Sequence, residues 1–322
     1  MTHYFIINPA AGKHRALELE DKIRAVMVSI GEPYDIIFTE YAHHAIEIVK
    51  SIASKNKECR FYACGGDGTL FDVVNGACEY ENAAVGVIPY GSGNDFTRSF
   101  EYRERFLDIR AQVKGSTVPL DLIRFEDMYS CNVCSLGMDA EVVNHKSRRK
   151  LLSRISGPLA YNISVFTAFV FNLKNKFRVC ADGEEFFSGD CALCSIANGK
   201  YYGGGFKAAP DAVMNDGIID LSVIESISHL DVLKLLPIYK KGLHTNLPIC
   251  HIKQCRKVSI ECEKEMSVNL DGELFRRKKA EFEIIPGKLK FILPAVAVTE
   301  KDGKRAKSSA NVKRAAALNE QN

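Results

Sequence analysis

Over the first 118 residues, short apolar runs alternate with longer amphipathic ones. Tyr4 to Asn8, Tyr34 to Thr39, Phe61 to Cys64 and Ala84 to Pro89 read as strands buried on both faces. The stretches Ala16 to Ile30, onward to Lys55, and Leu70 to Ala77 place apolar residues at helical spacing. This alternation predicts a three-layer α/β domain on a parallel sheet. From Leu120 the texture changes to short strands between turns: Asp121 to Phe125, Phe177 to Ala181, Cys191 to Ala197, Ile218 to Ile224, Val258 to Cys262, Met266 to Leu270 and Ala280 to Ile285. An all-β second domain of sandwich type is expected over 119–287, with Ser228 to Gly242 as an inserted helix. No internal repeat is evident.

Three glycine-bearing turns follow the predicted strands of the first domain. Gly65, Gly66, Asp67, Gly68 and Thr69 stand between a strand and a helix, the geometry of a phosphate cradle. The glycines would allow positive φ and close approach to an anion. An acid in mid-loop would repel a triphosphate unless a divalent cation lay between them, so Asp67 points to a Mg²⁺-nucleotide loop. The second turn, Asn8, Pro9, Ala10, Ala11, Gly12 and Lys13, is half of a Walker A loop; His14 stands where Ser or Thr would be, which excludes a P-loop NTPase. The third, Tyr90 to Phe96, offers Ser92 and Asp95. Ligands of open parallel sheets sit beyond the carboxyl ends of the strands, so the turns define one crevice. Outside them, Asp271, Gly272 and Glu273 offer carboxylates that could deprotonate an acceptor hydroxyl. The residues alone fit a hairpin turn equally well.

Composition is that of a globular chain, with 46% hydrophobic and 26% charged residues in 322. Net charge is +3, and residues 300–322 hold the whole excess, six Lys or Arg against three acids. That tail should be disordered and could tether to an anionic membrane. Lys146 to Arg154, with five cations in nine residues, is a second candidate for anionic headgroups. The charge-free stretch Ile155 to Leu173 carries too many polar residues for a span and reads as a partly buried helix. No secretory signal is visible, so a cytoplasmic protein peripheral to the inner face of the membrane is expected. The eleven cysteines lie mostly in apolar runs and read as reduced thiols. In the pairs Cys131/Cys134 and Cys191/Cys194, strand alternation should turn the two sulfurs to opposite faces, which argues against zinc.

Asn8 to Lys13, Gly65 to Thr69, Pro89 to Phe96 and Asp271 to Glu273, in that order and spacing, resemble the diacylglycerol kinase catalytic-domain family over residues 1 to about 295. NAD kinases and phosphofructokinases carry a similar glycine-acid run, but the set of motifs singles out lipid kinases. The resemblance implies a nucleotide domain over 1–118, completed by a return strand near 288–294. It implies ATP held by Asn8, Pro9, Ala10, Ala11, Gly12, Lys13, Thr39, Gly65, Gly66, Asp67, Gly68, Thr69 and Ser92. Glu273 matches the family's proton acceptor, Asp271 its catalytic partner, and Asp67 and Asp95 the carboxylates near Mg²⁺ and the acceptor, with Asp121 joining that network. The loop Ala209 to Asp220 resembles a structural Mg²⁺ site made by Asp216 and the carbonyls of Val213 and Ile218. The implied partners are ATP, a membrane lipid and an anionic membrane surface, with no nucleic acid and with a homodimer left open. Diacylglycerol is the leading acceptor and phosphatidic acid its product. A sphingoid base or phosphatidylglycerol is the alternative acceptor. A catalytically silent, nucleotide-responsive membrane protein is the alternative class, against which the intact Asp67 and Glu273 argue.

Overall fold

The computed structural model describes residues 1–12, 18–55, 58–137 and 175–295. Lys13, the segments 146–154 and 155–173, and the tail 300–322 lie outside the described residues. The first elements are β1 (Thr2–Ile7), α1 (Leu19–Ile30), β2 (Tyr34–Phe38), α2 (His44–Ala53), β3 (Cys59–Gly65), α3 (Asp67–Ala77), β4 (Ala83–Pro89) and α4 (Ile109–Val113). Strands β2, β1, β3 and β4 are parallel neighbours in that order. Phe5 and Ile7 pack with Leu19, Ile23 and Met27 of α1 on one face, while Ile6 joins Val49 of α2 and Val73 and Val74 of α3 on the other. Covered on both faces, β1, β3 and β4 carry continuous apolar runs at Phe5 to Ile7, Phe61 to Cys64 and Ala83 to Ile88, as buried parallel strands do. Gly31 closes α1 at φ 78°, its N–H donating to the Met27 carbonyl at 2.9 Å.

The remaining elements are β5 (Ser116–Phe125), β6 (Met128–Ser130), β7 (Val133–Gly137), β8 (Asn175–Ala181), β9 (Glu184–Ala197), β10 (Ile219–Glu225), α5 (His229–Lys240), β11 (Cys250–Cys255), β12 (Lys257–Leu270) and β13 (Glu273–Leu293). Antiparallel pairing gives the order β11-β10-β9-β7-β12-β13. The 21-residue β13 then carries the sheet across to β4, alongside which Phe291 pairs with Val85 in parallel. A register shift between Ile285 and Leu289, at Pro286 and Gly287, bends β13 as it passes from one half to the other. Phe96, Phe100 and Phe106 close around Phe291 at centroid distances of 5.1 to 6.1 Å and seat the loop after β4.

The two strands expected at Val258 to Cys262 and Met266 to Leu270 are one strand, β12. Its interruption is a bulge at the exposed, charged Glu263, Lys264 and Glu265, which pattern reading takes for a turn. A second bulge corrects the cysteine reading. Ile224 pairs with Leu193 and Glu225 with Cys191, so Ala192 is an extra residue in β9. The bulge breaks the alternation and turns Cys191 and Cys194 into the same apolar core. Cys131 and Cys134 do separate, into different cores.

Behind α5, His244 is wholly buried, with Nε2 3.1 Å from the Ala208 carbonyl and its ring 4.2 Å from that of Tyr239. Burial lowers its pKa to about 4. The unfolded chain takes up that proton near pH 6.5 and the folded one does not, so this contribution to stability is complete above pH 6.5 and is lost as the pH falls towards 4. It amounts to about 3 kcal/mol. Urea unfolding should show His244→Gln, which cannot ionise, losing less stability than the parent between pH 6.5 and 4.5; equal losses would contradict this.

Candidate functional site

The carboxyl ends of β1, β2, β3 and β4 meet at one rim. Asn8 donates from its backbone to the Cys64 carbonyl at 3.1 Å and from Nδ2 to Thr69 Oγ1 at 3.2 Å. Its Oδ1 accepts from Ala10 N at 3.0 Å, and Thr39 N donates to the Ile7 carbonyl at 2.9 Å. Tyr90 N reaches the Gly65 carbonyl at 2.8 Å. An open cleft of about 280 Å³ results. Of the residues singled out in the sequence, Asn8, Pro9, Ala10, Thr39 and Thr69 line it. Glu40, Tyr41, Ala42, His43, Ala45 and Asp72 line it too. Asp72 carries a signal that could have been read, because it follows Thr69 at helical spacing on α3. Ala11 and Gly12 continue the turn from Ala10, Gly12 at φ 57°, and Ser92 is exposed on the third turn.

The glycines act differently from the expectation. Gly65, Gly66 and Gly68 do not take positive φ. A Cβ on Gly65 would lie 2.2 Å from Thr69 Oγ1, and one on Gly91 would lie 2.3 Å from the Gly66 Cα. Two turns therefore touch backbone to backbone, and close approach excludes side chains there; Gly68 faces open space.

Beside the cleft, acids from separate turns face one another. Asp67, in the first turn of α3, accepts from Phe96 N at 3.3 Å. A Cβ on Gly93 would lie 2.9 Å from its Oδ2, so the third turn packs directly on this carboxylate. Burial, with the negative charges of Asp95 and Asp271, raises the Asp67 pKa to about 6. Asp95 is buried and shifted upward by burial, opposed by the Gly204 N–H at 2.6 Å and Arg98 at 3.0 Å. Gly203, Gly204 and Gly205 all have positive φ, which lets that loop bend in to meet Asp95.

Asp271 and Gly272 are indeed a hairpin turn, joining β12 to β13 with φ of 47° and 111° and with Leu270 paired to Glu273. The hairpin and the candidate carboxylates are the same residues. Asp271 accepts from Ser130 Oγ at 2.8 Å and from the backbone N–H groups of Cys131, Asn132 and Val133 at 2.8, 3.2 and 2.9 Å. Its carboxylate is spent on holding the β6–β7 loop, and burial still drives its pKa upward against those donors. Glu273 points instead to the cleft. Its Oε2 lies 3.7 Å from His43 Nε2, and His43 Nδ1 lies 2.9 Å from Asp72 Oδ1. Burial, with the Asp72 charge, raises the Glu273 pKa, while His43 opposes the shift.

The turn around Asp216 is separate. Asp216 is exposed and accepts from Ile218 N at 3.0 Å, and Val213 is exposed beside it. It is linked inward, because Gly217 N donates to the buried Asp121 at 2.6 Å. Asn198 then bridges the carbonyls of Asp121 and Cys131 at 2.8 and 3.1 Å. That chain ends on Asp271.

The molecule is thus an α/β half with a cleft at its sheet ends, joined to a β-rich half that delivers carboxylates to its rim. Residues 2–125 match the diacylglycerol kinase catalytic domain and residues 132–293 the YegS C-terminal NAD kinase beta sandwich-like domain. A diacylglycerol kinase of Staphylococcus saprophyticus is 28% identical over 273 residues, covering 83% of this chain and 87% of that protein. One from Staphylococcus epidermidis is 30% identical over 222 residues, covering 68% and 69%. In fold, the chain is similar to a Bacillus anthracis crystal structure titled as a diacylglycerol kinase, with a TM-score of 0.70 at 21% identity, covering 90% of this chain and 96% of that one. The chain belongs to the diacylglycerol kinase catalytic-domain family of lipid kinases. Among the described residues, no helix is long and apolar enough to cross a membrane.

Proposed function

We propose that the protein transfers the γ-phosphoryl group of ATP to the hydroxyl of a membrane lipid, with diacylglycerol as the acceptor and phosphatidic acid as the product. The observation that supports this best is the division of α3's first turn. Thr69 faces the cleft while Asp67, two residues earlier, faces Asp95 and Asp271, so a nucleotide in the cleft has its terminal phosphate at the carboxylates. The rim turns and the N-terminus of α3 offer backbone N–H groups to phosphate oxygens. Glu273 takes the proton of the lipid hydroxyl as that oxygen bonds to the γ-phosphorus and the bond to the β-bridging oxygen breaks, leaving ADP.

The acids fit Mg²⁺. Their donors are all oxygen, and Asp67, whose neighbours make its charge unfavourable, gains from a cation beside it. Among the described residues no three His, Cys, Asp or Glu side chains converge as a ready cage. That suits an ion held by one or two carboxylates together with phosphates and water. Asp67 and Asp95 would hold it, and when bound it neutralises charge on the transferring group.

A second Mg²⁺ at Asp216 and the carbonyls of Val213 and Ile218 would stabilise the turn tied through Asp121 and Asn198 to Asp271. Asp216→Ala should then lower the melting temperature in Mg²⁺ to that of the chelated parent, with activity falling alongside. A parent melting temperature indifferent to chelator would contradict this structural ion.

The acceptor reaches the cleft from the membrane surface. Incubation with γ-labelled ATP and separate vesicles containing diacylglycerol, a sphingoid base or phosphatidylglycerol identifies it by chromatography of the labelled lipid. Labelling of diacylglycerol above the others is expected, and preference for either of the other two would reassign the acceptor.

A further inference from the structure

His43 belongs to no sequence motif discussed above, yet the fold spends strain on it. It caps α2 at φ 63° and ψ 7°, a left-handed conformation that is sparsely populated by residues other than glycine, though histidine is among those that tolerate it. The Ile46 N–H donates to its carbonyl at 3.1 Å, so the conformation is built into the start of the helix. The result aims the ring across the cleft, between two other elements. From α3, Asp72 Oδ1 meets Nδ1 at 2.9 Å; from the start of β13, Glu273 Oε2 stands 3.7 Å from Nε2.

Both ring nitrogens of the imidazole thus meet carboxylates, one close and one looser. Asp72 is mostly covered, with its side chain 15% exposed, while His43 is 50% and Glu273 36% exposed. The tighter contact anchors and the looser one leaves Glu273 free to meet a ligand. The other titratable side chains from the end of β2 to the start of α2 are Glu40, Tyr41 and His44. Tyr41 stacks on His44 at 4.2 Å and donates its hydroxyl to Glu47 at 2.9 Å, and His44 Nδ1 accepts from the Glu40 backbone N–H at 3.1 Å. Tyr41 and His44 are thus engaged locally, the Glu40 carboxylate shares the cleft rim, and the ring nitrogens of His43 meet Asp72 and Glu273. The hydrogen bond and charge of Asp72, with the charge of Glu273, favour the protonated ring and raise its pKa.

We propose that His43, anchored by Asp72, is a positioning residue that orients the Glu273 carboxylate and sets a positive charge beside it. This rests on the reading of Glu273 as the group that takes the acceptor's proton. In that role His43 touches neither proton nor phosphorus. It keeps Glu273 ionised at a lower pH than the half-buried carboxylate would otherwise allow, and it holds the carboxylate towards the cleft rather than out to solvent. Asp72 does for His43 what His43 does for Glu273. The three make a relay of orientation, running from the helix that carries the cleft to the hairpin that carries the base.

The informative variant is His43→Gly, because glycine adopts φ 63° without strain and the start of α2 survives. With the parent active on a lipid acceptor, kcat of the variant should fall roughly 10- to 100-fold through the loss of alignment. Its acidic limb should move to higher pH, since Glu273 has lost its cationic neighbour and protonates more readily. Imidazole added to the assay should restore part of the rate. A merely structural role predicts neither the moved limb nor the rescue. An unmoved acidic limb with no response to imidazole overturns the inference, whatever happens to the rate. In the unliganded protein, the His43 resonance, identified by its absence from His43→Gly, should titrate above an ordinary histidine and fall in Glu273→Gln. An active parent with an unmoved limb removes His43 alone; a parent that phosphorylates no lipid overturns the kinase reading and this inference together.

Discussion

Asp67→Ala abolishes lipid phosphorylation while leaving the protein folded and no less stable. Asp67 sits in the first turn of α3, packed beneath Gly93 and facing Asp95 and Asp271, and its carboxyl is raised to about 6 by burial and by those like charges. A carboxyl whose folded pKa stands above its unfolded value adds stability below pH 3.8, and that contribution fades as the pH rises through 6. At neutral pH the ionised group is therefore a cost to the fold, justified only by what it binds. Removing it should lower turnover by about 10³-fold or more, to the background of a labelling assay, the scale of one electrostatic contact to a transferring phosphoryl group. The melting temperature at pH 7.5 without Mg²⁺ should hold or rise. Kinetics on a lipid acceptor beside differential scanning calorimetry check both halves. Near-normal turnover removes Asp67 from the chemistry, and a steep fall in melting temperature makes it a structural residue.

The second large effect separates a base from a residue that only fills space. Glu273→Gln keeps the shape and most hydrogen bonds and loses basicity, so kcat should fall by roughly 10² to 10⁴. Binding of ATP with Mg²⁺, measured by calorimetry, should stay within a few-fold of the parent, because Glu273 opens β13 and stands at the edge of the cleft rather than in its lining. If turnover survives, the base assignment is wrong. Should ATP affinity collapse in parallel, Glu273 belongs to the nucleotide site instead. Asp271 is a poor replacement, since four donors already claim its carboxylate.

Much of this was legible in the chain. Strand, glycine turn and helix at Gly65 to Thr69, and the parallel strands around them, follow from short continuous apolar runs and the 3.6-residue period of the stretches between them. What escaped was set by tertiary contact. Gly66 and Gly91 are glycines because two turns meet, and neither needs a positive φ, so no local rule reveals their reason. Ala192 and the charged Glu263 to Glu265 are bulges, which alternation reads as a face change or a turn. Of the site, Asn8, Thr39 and Thr69 came from strand ends and from the family resemblance. His43 was missed because its meaning arises only when α2, α3 and β13 converge, whereas Asp72 had its helical spacing from Thr69 to mark it. The Asp271-Gly272 turn shows the limit differently: a hairpin and a catalytic turn look alike in sequence, and the hairpin here carries the candidate carboxylates.

The most direct test of the account is transfer of label from γ-labelled ATP by the purified parent protein to a total lipid extract in mixed vesicles, with and without chelator. The account predicts a labelled lipid that co-migrates with phosphatidic acid, dependent on Mg²⁺ and absent with Asp67→Ala. Label released only as inorganic phosphate, or retained entirely in ATP across the lipid panel, would contradict it.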